Sequence, residues 1–222
     1  FYVEKIAPFL KSHPGVGQII DELSAERRAT EADLKRFSKI ESNGFVDAAN
    51  LLSERQDKLI ASKVFAERLR RIAADTQNPE EAIELLAIAG DIASNGFGLG
   101  ELHLRINAVQ LANAMGVVDG KGNFVSLTDG RSRTLVERLA ERICVETGSS
   151  INFQNLEHES ATARRQLMLA TQILKHIDSD QPIRLLIAEC EHPVTVMSAL
   201  FLARKFGIED RLDISPLFET TF

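Results

Sequence analysis

A lone carboxylate stands just after the last short apolar segment of the chain. Leu212–Leu217 is predicted to be a strand, and Glu219 comes two residues after it. Parallel-sheet enzymes place metal ligands and acid or base groups at the carboxyl-terminal lip of their strands. Because Mg²⁺ and Mn²⁺ prefer carboxylate oxygens, Glu219 is a candidate ligand for either ion. The alternative is an ordinary acidic residue in a strand-to-helix loop.

A second carboxylate has a similar placement. Glu189 stands at the end of another predicted strand, Ile183–Ala188. Carboxylates at two adjacent strand ends can share one metal ion, or one can be the ligand and the other a surface acid. Glu189 is therefore the second candidate metal ligand.

Arg105 is predicted to bind an anionic group. It lies in Glu101–Asn107, an alternating segment that we interpret as a strand. An arginine in a buried strand must find an anion, which is either a substrate phosphate or carboxylate or a nearby glutamate in a structural ion pair. His103 shares the face of Arg105 because side chains alternate along a strand. Its role is either a substrate contact or that of a hydrogen-bonded core histidine.

These residues require a parallel sheet to position them. A strand at Ile183–Ala188, a helix from His192-Pro193 to Lys205 and a strand at Leu212–Leu217 form a strand–helix–strand unit. Such a unit predicts parallel, neighbouring strands with a right-handed crossover.

The chain divides into a helical segment at 1–95 and a segment at 96–222 that carries three strands, near 101–107, 183–188 and 212–217. Apolar residues recur at helical spacing through most of the first segment.

Three local patterns refine the helical segment. Asn78-Pro79 predicts a helix start, with Asn as the cap and Pro in the first turn, and Asn95-Gly96 predicts the end of that helix. Leu51–Ala74 is predicted to be one helix. Thr30 has the form of a helix N-cap, because acidic residues follow it.

Composition restricts the classes of function. The 222 residues carry a net charge of -6, which argues against a nucleic-acid partner. No segment approaches the roughly 20 apolar residues of a membrane-spanning helix, so we expect no membrane partner. Two widely spaced cysteines, Cys144 and Cys190, indicate reduced, mostly buried thiols and a cytoplasmic protein.

The last forty residues resemble phosphoenolpyruvate carboxylase. Pro216–Thr220 reads P-L-F-E-T, which is a motif of that family. In the family this motif follows a strand of the form I-S-M-A, a helix that starts with Pro, and a Gly-Ile or Gly-Leu turn. The equivalents here are Ile187–Cys190, His192–Leu200 and Phe206–Ile208. The resemblance is specific over residues 183–222.

A looser resemblance lies upstream. The family has a strand of the form F-G-L-x-L-x-R-L-D-I-R-Q, which is similar to Phe97–Leu99 followed by Leu102–Gln110 after a two-residue shift. Gln110 matches the family Gln, which implies a polar role near the site. Asn107 replaces the family Asp, and Val109 replaces an Arg that the family implies to hold phosphate. Arg105 is the natural substitute, because it keeps the guanidinium fork.

The resemblance implies a helix-rich α/β fold, a partial TIM-type barrel with about three of eight parallel strands and many surrounding helices. It implies a lyase that adds bicarbonate to phosphoenolpyruvate and gives oxaloacetate and phosphate, with Mg²⁺ or Mn²⁺ as cofactor and a homo-oligomeric full-length enzyme. The chain begins with Phe and ends just after a strand, so we expect an internal piece of a divergent family member. The piece alone should be inactive, since the family's catalytic His lies before it and its Lys and Gly-Arg-rich loop lie after it.

The site prediction is therefore Arg105, His103 and Gln110 for substrate and Glu219 and Glu189 for metal, with no catalytic residue assigned. Two alternatives remain open. One is another metal-dependent barrel enzyme that handles phosphoenolpyruvate or pyruvate. The other is a non-catalytic helical interaction module, which the charged helical first half favours.

Overall fold

The computed structural model describes residues 1–98, 100–116 and 132–219. Leu99 and Thr220, which belong to the motifs above, lie outside the described residues. The chain forms two compact units. We call the first, Phe1–Gly100 with Lys175–Gln181, the helical unit, and the second, Glu101–Leu174 with Pro182–Phe222, the sheet unit.

The helical unit is built from five α-helices that enclose an apolar core. Their bounds are α1 Tyr2–Ile6, α2 Pro14–Phe37, α3 Phe45–Glu54, α4 Lys63–Ala74 and α5 Pro79–Asn95. The core side chains recur at helical spacing on α2, α4 and α5; they include Val16, Ile19, Phe65, Leu69, Leu85 and Ile92.

Helix α5 has the ends that its sequence predicts. The Asn78 side chain accepts a hydrogen bond from the Glu80 backbone N–H at 3.0 Å, and Pro79 occupies the first turn. Gly96 ends the helix with a φ of 62°, a left-handed conformation that glycine adopts without steric cost. Both signals are local, which is why the sequence alone locates them.

The prediction of one helix over Leu51–Ala74 is wrong. Helix α3 ends at Glu54, and α4 begins at Lys63. The start of α4 depends on a distant residue, because the Asp180 carboxylate accepts hydrogen bonds from the Lys63 backbone N–H at 2.8 Å and from the Ser62 hydroxyl at 3.2 Å. Helical periodicity carries no information about a partner 117 residues away.

The predicted cap at Thr30 is also wrong. Helix α2 continues through this position to Phe37, and the Thr30 hydroxyl donates to the Glu26 carboxylate one turn earlier, at 3.0 Å. Nothing in this stretch breaks a helix, so a threonine followed by acids stays in the helix interior.

The described part of the sheet unit contains three parallel strands in the order β1-β2-β3, with β1 at His103–Asn107, β2 at Ile183–Ala188 and β3 at Leu212–Pro216. The predicted helix-rich α/β class and the three parallel strands are confirmed. Within the described residues the strands form a small open sheet, and a TIM barrel is not shown.

The remaining described α-helices belong wholly or mostly to the sheet unit. Their bounds are α6 Ala108–Met115, α7 Ser132–Val145, α8 Thr162–His176 and α9 Pro193–Lys205, and the last two residues of α8 belong to the helical unit. Helix α9 packs against α6, α7 and β3. In the central strand Ile183, Leu185 and Ile187 are buried while Arg184 is exposed, the alternation of a sheet with one covered face.

Two further predictions can be compared with the described residues. None of the described helices is both long and apolar enough to cross a membrane. Cys190 is buried, which raises the pKa of its thiol, but Cys144 is exposed, so the expectation of buried thiols is wrong for Cys144. Cys144 lies in an apolar segment of α7, but on the side of the helix that faces solvent.

The central strand should dominate the stability of the sheet unit. We expect Leu185→Ala to lower the free energy of unfolding by about 2–5 kcal/mol, because Leu185 is fully buried and its truncation leaves a cavity. Val109→Ala, at a side chain that is 60% exposed, is the control and should change it by less than about 0.5 kcal/mol. Urea unfolding followed by circular dichroism measures both, and equal effects would contradict this assignment of the core.

Candidate functional site

The candidate site lies on the polar face of the three-stranded sheet. The register places His103, Arg184 and Asp213 side by side on adjacent strands. The next row on the same face consists of Arg105, Leu186 and Ser215. This face is the alternate one to the buried Leu185 and Ile187, so its polar side chains point away from the core.

Arg105 and Glu219 meet across the carboxyl-terminal end of this face. The Arg105 guanidinium donates to Glu219 Oε1 at 3.2 Å. Arg105 lies on β1 and Glu219 follows β3, while β2 separates the two strands by about 10 Å of sheet. Both side chains remain accessible, at 66% and 42% exposure, so the ion pair faces solvent.

Backbone hydrogen bonds continue past the strand ends and hold the two candidate loops together. The Leu217 N–H donates to the Ile187 carbonyl at 2.9 Å, and the Cys190 N–H donates to the Leu217 carbonyl at 3.2 Å. Glu189 and Glu219 therefore both belong to loops at the same end of the sheet. Glu189 has a φ of 56°, a left-handed conformation that costs free energy for a residue other than glycine.

His103 takes part in a second polar group on this face. Its imidazole Nε2 lies 3.6 Å from a Glu101 carboxylate oxygen, and the Arg184 guanidinium donates to the same carboxylate at 3.1 Å. Half of the His103 side chain is exposed, so the alternative of a core histidine is wrong. The sequence did not predict Arg184 or Glu101 as residues of this face. The available signal was Arg184, a charged residue within the otherwise apolar strand segment Ile183–Ala188.

Gln110 and Asn107 have a local structural role at the start of α6. The Asn107 side chain accepts from the Gln110 backbone N–H at 2.8 Å, and the Gln110 side chain accepts from the Asn107 backbone N–H at 3.0 Å. This reciprocal pair is a capping box, which satisfies two backbone donors at the end of a helix. The amide oxygen of Gln110 is thus occupied by the helix cap.

The donor set for a divalent metal is incomplete in the described part of the chain. It contains no group of three or more His, Cys, Asp or Glu side chains that could hold a metal ion. One oxygen of Glu219 also accepts from Arg105. Since Mg²⁺ requires six oxygen ligands, the described residues can supply part of such a site and do not form it alone.

The basic side chains of this face are the groups that could contact a small anion. Arg105, Arg184 and His103 share one accessible face, and each now has a carboxylate within 3.6 Å. A guanidinium fork binds phosphate and carboxylate oxygens in the same geometry. An anionic ligand would therefore compete with Glu219 and Glu101 for these cations.

Comparison of this chain with protein-family models, with curated proteins and with solved structures gives no match.

The Arg105–Glu219 pair should contribute little to stability. We expect a double-mutant cycle of Arg105→Met and Glu219→Gln to give a coupling of about 0.2–1 kcal/mol, because both side chains are largely exposed. The matched pair is Arg55 with Glu26, whose side chains are only about one fifth exposed and should couple more strongly. Urea unfolding of the single and double variants measures both couplings. A coupling above about 2 kcal/mol for Arg105 with Glu219 would assign that pair a structural role.

The capping box at the start of α6 should contribute measurably to the free energy of unfolding. Asn107→Ala should lower the free energy of unfolding by about 1 kcal/mol, since it removes the side-chain acceptor at the start of α6. Asn113→Ala, at an exposed position inside the same helix, is the control and should be neutral or stabilising. Thermal unfolding of both variants checks this, and equal losses would contradict the capping role.

Proposed function

We propose that this chain is part of a phosphoenolpyruvate carboxylase-like lyase, which adds bicarbonate to phosphoenolpyruvate and gives oxaloacetate and phosphate. The proposal depends on one observation, the 3.2 Å contact between Arg105 and Glu219. This contact joins the residue proposed to hold phosphate with the residue proposed to hold a metal. Metal-assisted phosphoryl transfer needs both groups within the reach of one substrate.

In this proposal Glu219 is the partner of Arg105 only while substrate is absent. A phosphate group carries more negative charge than one carboxylate and offers several oxygens to the planar guanidinium fork. The substrate phosphate would replace Glu219 on Arg105, and the freed carboxylate would then be available to a cation. Because both side chains are exposed, this exchange requires no rearrangement of the core.

Arg184 and His103 would extend the same site. They lie one row further from the carboxyl-terminal end of the sheet, on the same accessible face as Arg105. Arg184 now binds Glu101 at 3.1 Å, so its guanidinium is already oriented by a carboxylate. We assign it the carboxylate of phosphoenolpyruvate, with His103 beside it.

The proposed reaction passes through three changes of bonding. Phosphoryl transfer breaks the bond between phosphorus and the enol oxygen of phosphoenolpyruvate and gives carboxyphosphate and an enolate. Carboxyphosphate then breaks down to phosphate and carbon dioxide, and the enolate carbon forms a bond to that carbon dioxide. Bound Mg²⁺ or Mn²⁺ would offset negative charge on the phosphate and on the enolate. Glu219 and Glu189 are the carboxylate ligands that this chain would contribute to such an ion. We further propose that the full-length enzyme is cytoplasmic and homo-oligomeric.

The replacement of the family Arg by Val109 bears on this proposal. Val109 is 60% exposed in the first turn of α6 and carries no donor. Arg105 lies in the middle of the preceding strand, and we propose that it takes over the phosphate contact.

An assay of the full-length protein tests the proposed function. We expect phosphate release from phosphoenolpyruvate that depends on bicarbonate, and a loss of about 100-fold or more in kcat for Arg105→Met, because the variant cannot stabilise charge on the transferring group. Glu219→Gln should also reduce the rate and raise the Mg²⁺ concentration needed for half-maximal activity.

The control is Arg133→Met, in which an arginine paired with Glu137 on α7 is removed. Arg133 is largely exposed, and its loss should leave the rate unchanged. Phosphate release that is independent of bicarbonate would favour a different phosphoenolpyruvate-handling enzyme. Equal rates for the wild-type protein, Arg105→Met and Glu219→Gln would refute the assigned site.

A further inference from the structure

The helical unit contains an apolar groove that the proposed lyase site does not use. The groove has a volume of about 640 Å³ and opens to solvent between α2, α3, the segment that follows α3, and residues 176–177. Its apolar walls are formed by Leu23, Leu34, Phe37, Leu51, Leu59 and Phe97. The volume lies within the range of sites for small organic ligands, roughly 300–1,000 Å³.

A smaller pocket of about 270 Å³ adjoins the groove and is lined by positive charge. Arg55, Lys58 and His176 line both spaces, and Lys175 lines the smaller one. Among the described residues that line the smaller pocket there is no carboxylate. We call this smaller space the cationic pocket.

The carboxylates of the groove neutralise only part of this charge. The Arg55 guanidinium donates to Asp33 at 3.2 Å and forms an ion pair with Glu26, so Arg55 is matched by two acids from α2. The Lys58 ammonium instead donates to the Leu52 backbone carbonyl at 2.8 Å. The two spaces together are lined by four permanent cations and three carboxylates, so their lining carries an excess of one positive charge: Arg27, Arg55, Lys58 and Lys175 against Glu26, Glu31 and Asp33.

The directions of the pKa shifts of two neighbouring groups agree with this geometry. Burial lowers the pKa of Lys58; Asp33 and Glu26 oppose that shift, and Arg55 adds to it. Burial, followed by the charges of Lys58 and Lys175, lowers the pKa of His176 to about 4. Burial and the two lysines thus disfavour a positive charge on the His176 ring.

We propose that the helical unit binds a medium-chain carboxylate, with its hydrocarbon chain in the apolar groove and its carboxylate in the cationic pocket beside Lys58 and Lys175. Burial of the chain against leucine and phenylalanine side chains supplies the affinity. The carboxylate supplies the missing negative charge and selects this ligand class over a neutral one.

The proposal has a consequence for His176. A carboxylate beside its imidazole favours the protonated form, so ligand binding raises the pKa of His176 from about 4 toward the ordinary value of 6.5. Binding therefore takes up a proton, and the ligand binds more tightly at pH 6 than at pH 8. The other charges that face this region are Glu26, Arg27, Glu31 and Asp33 from α2 and Arg55 from the segment after α3.

Calorimetric titration of the chain with decanoate at pH 8 tests the site. We expect saturable binding, with an affinity at least about tenfold above that of decan-1-ol, which carries the same chain without the charge. Lys58→Met and Lys175→Met should each weaken decanoate binding about tenfold, since each removes a charge-assisted contact. Lys11→Met, at an exposed lysine that lines neither space, should bind as the wild-type chain does.

A second pair of variants tests the groove without touching a buried side chain. Leu34 is 66% exposed and lines the groove, whereas Ile83 is 67% exposed on α5 and does not line it. Leu34→Glu should abolish decanoate binding by adding a charge to the apolar wall. Ile83→Glu should leave the affinity unchanged, and circular dichroism confirms that each variant is folded.

Nuclear magnetic resonance of the His176 ring provides the last measurement. With saturating decanoate the pKa of His176 should rise by at least about one unit, and the ligand-free chain should show no titration of this ring above about pH 5. Equal affinity for decanoate and decan-1-ol, an unchanged His176 titration, or no effect of Lys58→Met and Lys175→Met would overturn the proposal. Self-association of the chain that Leu34→Glu abolishes and decanoate does not would assign the groove to a second copy instead.

Discussion

The sheet unit depends on one constraint, the burial of a single face of three parallel strands. Leu185 and Ile187 of the central strand are fully buried, and parallel register carries the same alternation to β1 and β3. Because strand side chains alternate, every neighbour of a buried residue points to the other face. A register slip of one residue would bury Arg105 and expose Ile106. Burial of the charged guanidinium and exposure of the apolar side chain would each cost free energy. The position of the candidate site is therefore set by packing on the opposite side of the sheet.

Parallel sheets usually have both faces covered, and their strands are then apolar throughout. Here Arg105, Arg184 and His103 occupy one face, each beside a carboxylate. Exposed ion pairs contribute little to stability, so these residues are poorly explained as supports of the fold. The proposed lyase site assumes that these groups exchange a protein carboxylate for a ligand.

The pairing of charges in the helical unit differs from that on the sheet. On the sheet each of these cations has a carboxylate partner, whereas the cationic pocket contains Lys58 and Lys175 beside a neutral His176. The apolar groove next to it is as large as an organic ligand site. A bound anion would neutralise positive charge in the cationic pocket. The hydrocarbon chain of a carboxylate would fill the groove. The two proposed sites can be tested independently, because their variants share no residue.

The amino-acid sequence determined the features that arise from neighbouring residues: the cap at Asn78, the end of α5 at Gly96, and three strands whose alternation follows from their own side chains. Tertiary structure decided what depends on distant partners. Asp180 sets the start of α4, and Arg105 finds Glu219 across an intervening strand. The cationic pocket likewise combines residues from 52–60 with 175–176. Periodicity and capping patterns act over a few residues, whereas these contacts join positions that only the folded chain brings together.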